Sequence, residues 1–278
     1  MSVWYPSFYP AFRCKAAACR HSCCRGWEID VDEGSAALYR RLPGEMGEEL
    51  RAALYEDAEG WHFRLTGEDR CPFLEPEGLC RLIRRLGEEA LCDICALHPR
   101  FFQEIGEDEL WGLGLSCEAV TELLLDEPAL RFTCRETGET LELGALLRRL
   151  GIDAPPEGLR YRPGIGEARR RELLSRFRDT EAIDEAWPRE MDALERSPLP
   201  VNAEGEPYQR IFAYILFRQL ERLGERDLAD LAAYARICTD LIALWDALEP
   251  DTAAHLRRFS EQIEYSTENV DRLLDKGI

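Results

Sequence analysis

Hydrophobic positions recur at helical spacing through the second half of the chain. Leu228, Leu231, Tyr234, Ile237, Leu241, Ile242, Trp245 and Leu248 fall three or four residues apart and predict one long helix with an apolar face. Residues 208–223 (YQRIFAYILFRQLERL) predict a largely buried helix, and Leu256, Phe259 and Ile263 line a further one. Earlier, short helical and short extended patterns alternate. Residues 35–55 read as helix, interrupted near Pro43-Gly44. Trp61–Leu65, Phe101–Ile105 and Leu110–Leu115 read as strands, the last two around the turn signal Gly106-Glu107-Asp108. Arg131–Leu143 predicts a hairpin turning at Thr137-Gly138. Asp153–Gly166, rich in Pro and Gly, is the best linker candidate. The expected fold is mainly α, a helical protein with a few short strands around an N-terminal cysteine-rich metal centre. Its expected divisions are a cysteine-rich region, 1–150, and a helical region, 151–278, that completes the fold.

Composition narrows the function classes. A chain of 278 residues, 45% hydrophobic and 9% aromatic, buries a core without covalent staples and is globular. Its formal charge of −19 repels phosphate backbones, so nucleic acid is excluded as a main partner. The same field attracts a lysine-bearing protein or a cationic small molecule, with solubility alone as the alternative role of the charge. The first residues lack the charged and then apolar regions of a secretory signal, and no apolar run approaches the ~20 residues of a membrane helix. The expectation is a cytoplasmic protein with no membrane partner, in a compartment where dense cysteines bind metal or do chemistry rather than pair.

Ten of the eleven cysteines lie between Cys14 and Cys134. The strongest signal is Cys14-x4-Cys19-x3-Cys23-Cys24, followed at once by Arg25-Gly26-Trp27. Short spacers let several thiolates converge from one loop, and Gly26 permits a left-handed turn beside them. A second group comprises Cys71-Pro72-Phe73-Leu74, Cys80, Cys92-x2-Cys95-x2-His98-Pro99-Arg100, and Cys117. The uneven spacers and the Cys23-Cys24 doublet suit neither a zinc finger of paired knuckles nor the ferredoxin run. They favour a [4Fe–4S] cluster, with zinc as the alternative.

The run FRCKAAACRHSCCRGWEIDVD, followed by CPFLEPEGLC, CDICALHPRFF and LSCEAV, resembles the flagellin lysine-N-methylase family. It also looks like a distant relative of a group of zinc- or iron-chelating proteins named for a CxxCxxCC pattern. The resemblance runs through roughly residues 1–130. It implies methyl transfer from S-adenosylmethionine to lysine ε-amines of flagellin or a similar protein, dependent on an iron–sulfur cluster. Carried over by position, the metal-site cysteines it implies are Cys14, Cys19, Cys23, Cys24, Cys71, Cys80, Cys95 and Cys117. Cys92 falls outside that pattern. Eight thiols exceed the four that one cluster takes, leaving either structural thiols or a second centre.

No catalytic residue is legible. Gly112-Leu113-Gly114 and Gly164-Ile165-Gly166 lack the flanks of a Rossmann cofactor turn and read as turn chemistry. Tyr5, Tyr9, Tyr208 and Tyr214 are candidates to orient a lysine amine, with core packing as the alternative. His98 and His21 are candidate ligands or hydrogen-bond donors beside the cysteines. Arg169-Arg170-Arg171 with Arg176 and Arg178 is the one concentrated basic run: a solvated face paired with glutamates, or a site for an anion. Cys238, within an apolar helical stripe, reads as a core thiol. The function that follows is an iron–sulfur-dependent lysine methylase. The alternative is a non-catalytic iron–sulfur or zinc protein serving electron transfer or chelation.

Overall fold

The computed structural model describes every residue except Glu68, Pro163, Asn202, Glu204 and 276–278. Among the described residues twelve α-helices accompany eight short strands, so the fold is mainly α, as the periodicity predicts. No described helix is long and apolar enough to cross a membrane. The chain forms two compact units. Arg13–Arg100 is one, and Met1–Phe12 together with Phe101–Ile278 is the other.

The larger unit is built on a five-stranded sheet in the order Arg100–Ile105, Asp108–Leu113, Val3–Pro6, Phe132–Cys134, Thr140–Leu141. Both predicted hairpins are present, and Gly138 turns the second with a positive φ of 72°. Val3–Pro6 pairs parallel to the second strand, Trp4 opposite Leu110, and antiparallel to the fourth, Trp4 opposite Cys134. Against the sheet lies the predicted buried helix, Glu206–Arg218, in which every residue from Arg210 to Phe217 is buried. Its Tyr214 hydroxyl accepts from the Leu113 amide at 2.8 Å and donates to the Leu113 carbonyl at 2.7 Å, fastening helix to strand. The 21-residue helix Leu228–Leu248 packs against it, started by the Asp227 side chain accepting from the Asp230 amide. Cys238 sits fully buried in that helix, the core thiol expected from its stripe. The stretch 153–166 lies within this unit, with Tyr161 and Ile165 buried.

In the smaller unit the strands Ile29–Val31, Trp61–Phe63 and Leu54–Glu56 form an antiparallel sheet with Trp61–Phe63 in the middle. The predicted helical stretch breaks at Pro43, giving Glu33–Arg41 and Gly44–Ala53. Thirteen residues make up the buried core, among them Ile29, Tyr39, Leu50, Phe63 and Phe73, and two of the thirteen are Cys71 and Cys92. A core this modest gains only about 1.5–3 kcal/mol per large apolar side chain. Whatever holds its thiols together therefore matters to the whole unit.

Asp32 ties two elements of this unit. One carboxylate oxygen accepts from the Ser35 amide at 2.8 Å, capping Glu33–Arg41, and the other accepts from the Asp93 amide at 3.0 Å. Partial burial would raise its pKa, but these amide hydrogen bonds outweigh that and hold it below 3.8. The stabilisation is present above the unfolded-state pKa and is lost as pH falls through the folded-state value. Asp32→Ala is expected to destabilise the unit by about 1–2 kcal/mol at neutral pH. In denaturant unfolding the gap to wild type should close as the pH drops below that range; a gap unchanged in acid would show that the carboxylate charge is not responsible.

Candidate metal centre

All eleven cysteines are free thiols, and eight of them, Cys14 to Cys95, belong to the smaller unit. Backbone pairing explains how distant ones meet. The Cys71 amide donates to the Cys24 carbonyl at 2.9 Å, and the Gly26 amide donates to the Asp69 carbonyl at 2.9 Å. This pairing needs Gly26 in the left-handed region, at φ +81°, as the motif suggested. A tight turn, with the Gly78 amide donating to the Glu75 carbonyl, returns the chain so that Leu74 pairs with Cys80. Gly78 has a φ of +79°, and a Cβ there would lie 3.3 Å from the Ala17 Cα. The segment between Cys14 and Cys19 thus rests against the turn leading to Cys80. Cys80 and Cys92 each stand just before a short helix, Arg81–Leu86 and Asp93–Leu97, and the second helix carries Cys95.

Electrostatics confirm that these thiols sense one another. A hydrogen bond with Cys23, opposed by burial and helped by Ser22, lowers the Cys24 pKa to about 7. Burial pushes Cys71 up to about 12, with the charges of Cys24 and Cys80 adding to it. Burial also raises Cys80, which feels Cys24 and Cys92. Cys92 and Cys95 share a hydrogen bond that lowers Cys92 and raises Cys95, the latter pushed further by burial and by Cys24 and Cys71. Five thiols, Cys24, Cys71, Cys80, Cys92 and Cys95, are therefore close enough to compete for charge, with Cys23 bonded to the first. Full ionisation needs a cation among them.

The donor set is soft and sulfur-rich, which suits a cluster or zinc. One tetrahedral zinc with sulfurs at 2.3 Å would bring its ligands to roughly 3.8 Å of each other. Among the described residues no three cysteine sulfurs lie within 4.8 Å of one another. His98 supplies a further observation. Its Nε2 is buried with no hydrogen-bond partner, its ring stands 5.9 Å from that of Trp27, and burial pulls its pKa down to about 4. It is a neutral imidazole with one nitrogen unused, three residues from Cys95.

The other expected site residues are placed as follows. Cys14 is exposed and Cys19 half-buried in the first loop. Cys117 belongs to the larger unit, at the start of the helix Glu118–Asp126. Cys92, outside the expected set, is fully buried in the thiol group. The candidate tyrosines have structural partners: Tyr5 stacks on Tyr9, Tyr208 donates to Asp246, and Tyr214 fastens the sheet. Gly112 is a packing residue within a strand, since a Cβ there would meet the Phe101 ring at 2.1 Å.

Sequence reasoning missed a polar pocket immediately after the Cys23-Cys24 doublet. It measures about 490 Å³ and is lined by Trp27, Glu28, Tyr55, Arg64 and Asp69, among others. The Tyr55 hydroxyl donates to Glu28 at 2.7 Å. Beside it, His62 is buried between Asp30, 3.0 Å from Nδ1, and Asp57, 3.1 Å from Nε2. Ligand atoms of Glu28, Asp30 and His62 lie within 4.8 Å of one another. Strand alternation puts Glu28 and Asp30 on one face, and the register sets Asp30 opposite His62. Only that register, which no local pattern encodes, reveals the group. Burial alone would lower the His62 pKa; hydrogen bonds to Asp30 and Asp57 reverse this and raise it.

Curated relatives support the resemblance drawn from the cysteine motifs. The chain is 28% identical over 134 residues to the lysine-N-methylase of Salmonella typhimurium strain LT2 and to that of Salmonella choleraesuis strain SC-B67, covering 46% of this chain and 33% of each relative. It is equally similar to the flagellar biosynthetic protein FliU of Salmonella muenchen, of which 79% is covered. The chain thus spans about a third of the length of the two lysine-N-methylases. The similarity to the flagellin lysine-N-methylase family is shown by these matches. No family model and no solved structure matches the chain.

Two outcomes follow from the electrostatics. In metal-free, reduced protein near neutral pH, iodoacetamide should label Cys24 well ahead of Cys71, followed residue by residue in peptide mass spectra; equal rates would contradict the lowered Cys24 pKa. His62 stabilises the fold when protonated, fully below its ordinary pKa of 6.5, and the gain disappears as pH rises through its raised folded value. His62→Asn should therefore cost more stability in mildly acidic than in alkaline buffer, read from thermal unfolding at each pH.

Proposed function

We propose that this chain is an iron–sulfur-dependent protein lysine N-methylase, which transfers methyl groups from S-adenosylmethionine to lysine side chains of flagellin or a similar protein. The observation that carries the reading is the convergence of five thiols on one small core, in a chain whose curated relatives are named for lysine methylation and flagellar biosynthesis. Three or four of the thiols Cys24, Cys71, Cys80, Cys92 and Cys95 would supply the cluster ligands. When bound, such a cluster supplies an iron coordination position and one-electron chemistry.

The chain's own residues meet the demands of lysine methylation. The ε-amine must be stripped of water, aligned and deprotonated before it attacks a methyl sulfonium. The pocket beside the doublet offers the aromatic walls Trp27 and Tyr55 for an aliphatic stem, and Glu28 and Asp69 for an ammonium head. Tyr55 holds Glu28 by a hydrogen bond, and Glu28 is placed to accept the proton that the amine must lose. The −19 charge draws a lysine-bearing substrate towards the protein.

A second reading, a non-catalytic iron–sulfur or zinc module, rests on one specific fact: the chain spans only about a third of the lysine-N-methylases it matches. One set of measurements separates the two. Protein purified without oxygen should be coloured, with iron matched by sulfide, and should add whole methyl units to flagellin or another lysine-rich acceptor in the presence of S-adenosylmethionine. Cys24→Ser and Cys71→Ser should lower the iron content. Glu28→Gln should keep iron and sulfide while slowing methylation by about a hundredfold. Iron and sulfide without methyl transfer would favour the module reading; a colourless zinc protein would overturn the cluster.

A further inference from the structure

The basic run Arg169–Arg171 separates in the structure. Arg170 pairs with Glu167 at 2.6 Å and Arg171 with the same carboxylate at 3.6 Å. Arg176 pairs with Glu172, and Arg178 with Asp192 and Glu195. Their pairing with carboxylates fits the glutamate-paired reading, but Arg170 and Arg176 are only 13% exposed and are not solvated. Arg169 alone turns into a pocket of about 420 Å³ in the larger unit, lined by Glu157, Arg162, Gly164, Arg169, Arg236 and Asp240.

The floor of this pocket is fixed by Asp240, only 3% exposed. It accepts from Arg169 Nε at 3.0 Å and from the Tyr161 hydroxyl at 2.8 Å. Arg236 lies one helical turn before Asp240, over the face of Phe212 at 5.6 Å, and donates to the Arg160 carbonyl. Neither Arg162 nor Arg236 makes an ion pair among the described residues, although the chain carries 54 acidic residues against 35 basic ones. Asp240 is already engaged by Arg169, so two guanidinium groups remain to face the pocket, with Glu157 exposed beside them. Burial lowers the Arg236 pKa; Asp240 opposes this, while the like charges of Arg169 and Arg162 add to it. A bound anion would relieve that repulsion.

We propose that the pocket formed by Arg162, Arg169 and Arg236 over Asp240 binds a small dianionic oxyacid, a phosphate monoester or a dicarboxylate. Guanidinium forks match such groups through paired N–H donors. The inference rests on the larger unit alone and is independent of the methylase reading and of any metal.

The test is calorimetric titration of the full chain, at fixed ionic strength, with inorganic phosphate and separately with succinate. At least one should bind saturably at a single site with Kd in the range of about 0.1–1 mM. Arg162→Gln should weaken binding by about tenfold, and adding Arg236→Gln should abolish it. Arg236→Lys, which keeps the charge and loses the fork, should retain weak binding. Arg162 is exposed, so its variant tests the proposal even where Arg236→Gln, which removes packing on Phe212, fails to fold. The stronger probe identifies the head group as phosphate or carboxylate. No saturable binding of either probe, or binding unchanged in Arg162→Gln, overturns the proposal.

Discussion

Thiols that are crowded together cannot all carry charge. In the smaller unit five of them compete, so that Cys24 ionises near neutral pH while Cys71, Cys80 and Cys95 hold their protons. The surrounding architecture serves this crowding. The Cys24–Cys71 backbone pairing, the turn at Gly78 and the short helices after Cys80 and Cys92 bring sulfurs from four stretches of chain into or against one thirteen-residue core. A multivalent cation, alone or in a cluster, resolves the conflict by displacing the protons. Affinity for it must then weaken as acid returns them.

Much of the fold was legible in the sequence. The stripe from Leu228 to Leu248 is one helix, the break at Pro43-Gly44 is real, and Thr137-Gly138 does turn a hairpin, because each depends on local periodicity or local backbone chemistry. Val3–Pro6 was not foreseen. Four residues carry too short a pattern, and their pairing partners lie about a hundred residues further on. The cysteine spacing flagged the thiol group but could not rank Cys92, whose burial depends on the helix that follows it. The group around His62 was invisible for another reason: Asp30 and His62 are neighbours only through strand register.

The two units also divide the chemistry. The smaller holds sulfur ligands, a carboxylate–imidazole group and a pocket with aromatic and acidic walls. The larger is a helical body in which Tyr214 fastens strand to helix and Tyr161 and Arg169 share Asp240. Its Arg162 and Arg236 line a pocket and make no ion pair among the described residues.

The smaller unit is inserted after the twelfth residue of the larger one. On the ribosome, the strand Val3–Pro6 is therefore made before its partners and waits. Its partners at Glu109–Leu110 and Phe132–Cys134 are made only after all of Arg13–Arg100 has been synthesised. During that interval the nascent chain carries an unpaired apolar strand and, after it, a thiol-rich unit free to collapse on its own. A chain stalled at that stage exposes Trp4 and its neighbours to chaperones or to aggregation.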